Sequence, residues 1–414
     1  MRYIIVTLVL FLVANIGGAA SAQGETITID VSGDAQEALQ EALILSEPGT
    51  TIIIPAGKFS FTGALSLDVP NITLRGAGMD ATILSFAGQT TGSEGLLITS
   101  DNVWVEDLAV ENTPGDGIKA KGVDTITFKN VRVEWTGGPK AENGAYGLYP
   151  VESKHVLIDG AVVRGASDAG IYVGQSQQII VRGSRAEYNV AGIEIENSYY
   201  ADVHDNVATH NTGGILIFDL PNLPQQGGHS IRVFNNKSVN NDTPNFAPPG
   251  NIVGSVPRGT GIMVMSNRNV EVFGNELAEN ATVNMLITAY AEEYDDEGFN
   301  PLAQEIYVHD NTYGRGGWDP DGLAKEVIAP KTGVPLPDIV WDGAVGSMWD
   351  AFFGPSDDQT IHIKEAEDTS FANLDFVYDM IVPWEAGIDR DISNYGGSIK
   401  PLAPVLLPQD KAGD

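Results

Sequence analysis

The 414-residue sequence carries 55 acidic against 23 basic residues, a formal net charge of −32 at pH 7. Such a field repels phosphate backbones and anionic lipid surfaces, which excludes nucleic acid as a natural partner. There is no cysteine, which removes disulfide frameworks, thiolate metal sites, haem-attachment pairs and a lipid-modified terminus.

Arg2, an apolar run from Ile4 to Val13, and the small-x-small triplet Ala20-Ser21-Ala22 ahead of Gln23 form the pattern of a signal peptide over residues 1–22. The run is shorter than the ~18 residues that span a bilayer, and no later stretch is long enough. A periplasmic or secreted protein, free of the membrane after cleavage behind Ala22, is expected.

Residues 23–50 read as a cap helix and a first strand. From Asp34 to Leu45 the pattern is helical, with Ala38, Leu39, Ala42 and Leu43 on one side, and it stops before Pro48-Gly49. Such a helix plugs the open end of a stack of strands, which would otherwise expose a pairing edge and an apolar lumen. The run Thr51-Ile52-Ile53-Ile54-Pro55-Ala56-Gly57 begins the first coil.

Residues 51–315 repeat. A Gly followed by an aliphatic residue recurs at Gly117-Ile118, Gly147-Leu148, Gly170-Ile171, Gly192-Ile193, Gly214-Ile215 and Gly261-Ile262, at its tightest every ~22 residues. A second alternation follows in each unit, as in Ile126/Phe128, Val156/Ile158, Ile179/Val181 and Val270/Val272; period two means strands with one buried face. Asn, Asp or Gly then recurs at Asn130, Gly160, Gly183, Asp205-Asn206, Asn235-Asn236, Gly274-Asn275 and Asp310-Asn311, residue types that tolerate a left-handed corner. Stacked Asn amides can bond along such a corner. The fold class is all-β, a single-stranded right-handed parallel β-helix. The helix followed by "PGTTIIIPAGKF" resembles the start of pectin-lyase-like β-helix proteins, a superfold that hosts many activities.

Residues 219–229 and 240–259 are loop excursions, which in solenoids tend to line one face. The 316–414 extension, with Trp318, Trp341, Trp349, Phe352, Phe353, Phe371, Phe376 and Trp384, is expected to pack on the flank or cap the far end.

If the residue after each Gly points inward, the next points out. That outward row is Lys119, Tyr149, Tyr172, Glu194, Leu216 and Met263; a second row two residues on is Lys121, Val151, Gly174, Glu196, Phe218 and Met265. With rungs ~4.8 Å apart, Tyr149, Tyr172 and Glu194 form a ladder. The expectation is a shallow exposed strip that binds a carbohydrate polymer, with Lys119, Lys121, Tyr146 and Glu196 holding substrate and Tyr149, Tyr172 and Glu194 moving protons. Glu194 and Glu196 stand ~7 Å apart along a strand, near the separation of an inverting glycosidase's carboxylates. Leu216, Phe218, Met263 and Met265 need a cover; left bare, they would suit a protein partner.

Tyr146-Gly147-Leu148-Tyr149-Pro150-Val151 resembles the Tyr-Gly-Phe/Ile-Asp-Pro-His motif of mannuronan C5-epimerases. Tyr146, Gly147 and Pro150 match, whereas Tyr149 and Val151 replace the Asp and His of that chemistry. End to end, the chain resembles exported bacterial β-helix repeat proteins with the same "AYGLYP" segment, whose genes often neighbour a c-type cytochrome-like protein. That resemblance implies a second reading, a periplasmic protein-interaction scaffold without catalysis. If the chain is an enzyme, lyase, epimerase and glycoside hydrolase chemistry all remain open.

No cofactor is expected and a monomer is. His204 and His309 share one outward row with Lys129, Asp159 and Arg182, but Phe234 and Phe273 intervene, so they read as surface histidines rather than metal ligands. Calcium through Asp295-Asp296-Glu297 or Asp319-Pro320-Asp321 is a weaker option, since neither matches a defined loop.

Overall fold

The computed structural model describes residues 24–346, 350, 361–376 and 387–412. The signal-peptide segment, Trp349, Phe352, Phe353 and Trp384 lie outside them. The described chain is a right-handed parallel β-helix with three faces.

The first face is an 11-stranded parallel sheet that includes Ile118–Lys121, Tyr146–Val151, Ala169–Gly174, Ala191–Glu196, Gly213–Phe218 and Thr260–Met265. The second and third faces share one 20-stranded sheet, because Val103–Glu111 and Asp124–Glu134 run through the corner between them. The Gly-aliphatic rungs register as the sequence predicts: Ile118 pairs with Leu148, Leu148 with Ile171, Ile171 with Ile193, Ile193 with Ile215, and Ile215 with Ile262. These aliphatics all fall in one continuous lumen. Burying each one stabilises the fold by about 1.5–3 kcal/mol, and the period of one coil is what stacks them.

The corners carry their own bonding. Asn206 donates to Asn236, Asn236 to Asn275 and Asn275 to Asn311, at 3.0, 3.0 and 2.9 Å. The residue just ahead of each of these four asparagines is left-handed, with φ of 56° at Asp205, 55° at Asn235, 65° at Gly274 and 54° at Asp310. A second ladder, Asn189 to Asn211 to Asn241 to Asn280, runs along the corner between the third face and the first. Buried amides satisfied in this way avoid the desolvation cost of an unpaired polar group.

The cap helix spans Ala35–Leu45, with Asp34 accepting from the backbone of Gln36 and Glu37. Leu39 and Leu43 close the lumen. The amide oxygens of Gln36 and Gln40 accept from the Thr62 and Ser66 backbone N–H groups, so the helix also satisfies the exposed strand edge.

The coil does not stop near residue 315. Ile339–Trp341 pairs with Val283–Thr288, Phe371–Asn373 pairs with Ile339–Trp341, and Ile361–Lys364 pairs with Gln304–His309. The Gly-aliphatic signal is lost there, yet Ile339, Trp341 and Phe371 still enter the lumen, so the extension supplies further strands as well as packing on the outside. Its last part straps the second face: Val405 and Leu407 pack on Leu157 and Ile180, and Asp410 forms an ion pair with Arg182 at 2.8 Å.

Candidate functional site

The outward rows of the first face lie where the register puts them, with Lys119 beside Tyr149, Tyr172 beside Glu194, and Glu194 beside Leu216. The shallow exposed strip, however, is not observed. Tyr172, Glu194 and Glu196 are only 4%, 1% and 6% exposed. The cover comes from two segments distant in sequence. Val253 and Val256 of the 240–259 loop, and Ala324, Ile328 and Leu336 of the extension, join one outer apolar cluster with Tyr172, Leu216, Phe218, Met263 and Met265, while Val340 continues the outward row itself beside Leu286. The apolar patch that would have suited a protein partner is therefore occupied by the chain itself.

At the edge of this cover the face opens. Tyr146, Tyr149 and Tyr172 form a trio with ring centroids 4.4, 4.5 and 5.1 Å apart. Tyr149 is half-buried and Lys119 Nζ stands 4.6 Å from its ring centroid. Lys119 also pairs with Asp116 at 3.6 Å and Glu94 at 3.7 Å. This group of Lys119, Tyr149, Asp116 and Glu94 is the mouth of the site. Lys121 is not brought into it and pairs instead with Glu152 in solvent at 3.5 Å.

Behind the tyrosines lies a store of carboxylic acids. The Tyr172 hydroxyl donates to Glu196 Oε1 at 2.6 Å, and Gln175 Nε2 donates to the same oxygen at 3.2 Å. Asn251, from the covering loop, donates to Asp168 at 2.7 Å. Both carboxyl oxygens of Glu194 are buried away from any N–H or hydroxyl donor, and its carboxyl bonds with that of Glu196 through a shared proton.

Burial is the leading cause of every titration shift here. It pushes Glu196 up to about 7 against the Tyr172 and Gln175 hydrogen bonds. It pushes Asp168 up to about 7, assisted by the Glu196 charge and opposed by Asn251 and Tyr146. Glu194 is raised well above the ordinary carboxyl range by burial and by the charges of Glu196 and Asp168. At the mouth, burial takes Asp116 to about 6 despite Lys119, and takes Tyr149 to about 12, with the Asp116 charge adding to the effect. Titrations this strongly linked belong to the group of acids rather than to one residue. At neutral pH the cluster holds protons, and the tyrosines remain phenols.

Asp116, Asp168, Gln175 and Asn251 are functional candidates that the outward-row reading missed. Asp116 and Asp168 stand at the corner just before their strands, ahead of the alternation that identified the rows.

Among the described residues, no group of three or more His, Asp or Glu side chains is arranged to hold a metal ion. The acidic turns considered for calcium are engaged within the chain. Asp296 accepts from the backbone of Asn222 and Gly298, and Asp319 and Asp321 pair with Arg258. His204, Phe234, Phe273 and His309 stack in sequence with centroids 4.7 to 5.0 Å apart, a packing column rather than a ligand set.

Residues 94–276 match the family model described as the right handed beta helix region. No curated protein matches the sequence at a significant level. Among solved structures, the A-module of a mannuronan C-5 epimerase, AlgE4, from Azotobacter vinelandii superposes with a TM-score of 0.51 and 13% identity, over 80% of this chain and 90% of that one. The DFA-IIIase of Arthrobacter chlorophenolicus A6, without its lid and in complex with GF2, gives a TM-score of 0.52 and 10% identity, over 77% and 94%. At these identities the likeness shows the right-handed parallel β-helix fold and leaves the chemistry to the site.

Proposed function

We propose that this chain is an exported protein that binds a carbohydrate polymer at the Lys119, Tyr149 and Asp116 mouth and modifies it by proton transfer. The supporting observation is the placement of three buried carboxylic acids, two of them titrating near neutrality, directly behind a half-open mouth of tyrosine, lysine and aspartate. A general acid works best when its pKa lies near the working pH, and burial is the usual means of raising a carboxyl to that point.

The roles follow from access. Tyr149 offers a ring for a sugar to pack on and a hydroxyl that donates rather than removes a proton, because its pKa lies near 12. Lys119 supplies positive charge for a uronate carboxylate or an oxygen that gains charge. Asp116, with its side chain 14% exposed, is the acid within reach of substrate. Asp168 and Glu196 sit behind it as a proton store, and Tyr146 and Tyr172 lie between store and mouth. Tyr172 and Glu194, once candidates for direct proton transfer, are too deeply covered to touch a polymer and are assigned positioning roles. The carbohydrate-active proteins named above share this fold, which is consistent with the substrate class.

The experiment is an incubation of the purified protein with alginate, pectin and neutral glycans at pH 5 to 8, following unsaturated ends, new reducing ends and C5 inversion. Turnover of one polymer that is lost in Asp116→Asn and reduced in Tyr149→Phe is expected. Binding without turnover on any polymer would remove the catalytic half of the proposal, and no binding would remove all of it.

A further inference from the structure

One corner of the coil is missing a side chain. Glu134, Arg164, Glu187 and Thr209 are in register on the third face. The next residue on each rung is Trp135, Gly165, Tyr188 and His210. Gly165, Tyr188 and His210 are left-handed, with φ of 86°, 62° and 55°. One face of Tyr188 stacks on His210, at 5.2 Å between centroids and 7° between planes, and His210 is fixed by Asp242 at 2.9 Å. The other face looks toward the Gly165 rung, where there is no side chain to cover it. Tyr188 is 42% exposed.

On the far side, Trp135 turns inward and donates its Nε1–H to the Thr113 carbonyl at 2.7 Å, so it does not fill the gap either. What remains is a cleft of about 300 Å³ between Tyr188 and the Thr136 to Pro139 turn, with Arg164 and Glu134 in its wall. The cleft opens beside the bare Gly165 rung, where Trp135 and the Asn143 amide already crowd the position a Cβ would take. The volume is at the lower end of small-molecule sites, which run from ~300 Å³.

We propose that this cleft is a second carbohydrate subsite that takes a single sugar ring against the open face of Tyr188. The inference rests on the carbohydrate reading of the mouth and extends it. A sugar ring matches the slot in shape and in polarity: an apolar face for Tyr188, with edge hydroxyls for the guanidinium of Arg164 and the carboxylate of Glu134. Arg164 is held in place by Glu187 at 2.6 Å and Glu134 at 3.4 Å, so the wall is preorganised. The slot lies close to the acid store behind the mouth. Gly165 is three residues before Asp168, a span of at most ~11 Å. Asn143 ties the two, donating to the Gly165 carbonyl at 2.6 Å and accepting from Ser167 Oγ at 2.9 Å.

The test measures binding of mannuronate, galacturonate and cello-oligosaccharides of one to six units by saturation-transfer NMR and calorimetry. Wild type is compared with Tyr188→Ala, Tyr188→Phe and Tyr149→Ala. Tyr188→Ala should weaken the bound oligosaccharide about fivefold or more, the scale of one lost ring contact, while Tyr188→Phe retains binding. Sensitivity to Tyr149→Ala without sensitivity to Tyr188→Ala would overturn the slot and leave the mouth standing. Sensitivity to Tyr188→Ala alone would support the slot and count against the mouth. No binding of any oligosaccharide would overturn both.

Discussion

Tyr172 folds its ring over Gly174, two residues along the same strand, and so brings its hydroxyl to Glu196 on the next rung. A Cβ at position 174 would collide with the Tyr172 ring and hydroxyl. The absence of a side chain at one outward position therefore sets the hydrogen bond at the next.

Tyr172→Phe removes that bond and leaves Glu196 with Gln175 and Glu194. Because the bond favours the ionised carboxylate, the Glu196 midpoint should move upward from about 7, by on the order of one unit. Gly174→Ala should produce the same direction of shift by displacing the ring, with a stability loss of about 1–3 kcal/mol from overpacking. Carboxyl NMR and chemical denaturation check both; an unchanged Glu196 in either variant would contradict the link.

The acid store should make stability fall as pH rises. A carboxyl whose folded pKa is raised contributes stability fully below its unfolded pKa and loses it as pH passes its folded pKa. For Asp168 and Glu196 that window runs from the ordinary carboxyl range to about 7. Glu187, buried but paired with Arg164 and Arg185, is held low and acts in the opposite sense at more acid pH. Tm should thus drop between about pH 4 and pH 7. Glu194→Gln, which mimics the protonated acid, should flatten that drop. A drop of the same size in this variant would show that Glu194 takes no part.

The corner ladder is expected to be costly to break. Asn236 donates to the Val203 carbonyl and to Asn275, and accepts from both the backbone and the amide of Asn206. Asn236→Ala should cost about 3 kcal/mol, because it leaves buried donors and acceptors on two rungs unpaired. Asn251→Ala releases one bond at a loop and should cost about 1 kcal/mol or less, while raising Asp168 further. Denaturation midpoints of the two variants measure the contrast.

Much of this architecture is legible in the sequence because one coil is a ruler. Gly147-Leu148, Gly170-Ile171 and Gly192-Ile193 place Tyr149, Tyr172 and Glu194 on consecutive rungs without any structure. Burial is another matter. Local alternation says that Glu194 points away from the lumen, but the 240–259 loop lies over this face, with Asn251 on Asp168 and Val256 beside Gly213 on the flanking rungs, and nothing near Glu194 encodes that. Asp168 was illegible for a different reason: it sits in the corner before Ala169–Gly174, where no period assigns a direction. The same holds beyond Gly314, where Ile339 and Trp341 keep the lumen filled after the Gly signal has gone.

The functional account depends most directly on carboxylic acids that keep their protons near neutral pH. Carbon-13 titration of the Asp168 and Glu196 carboxyl signals in the intact protein measures this. The account predicts linked transitions centred at about 7; transitions for both groups at the ordinary value of about 4 would contradict it.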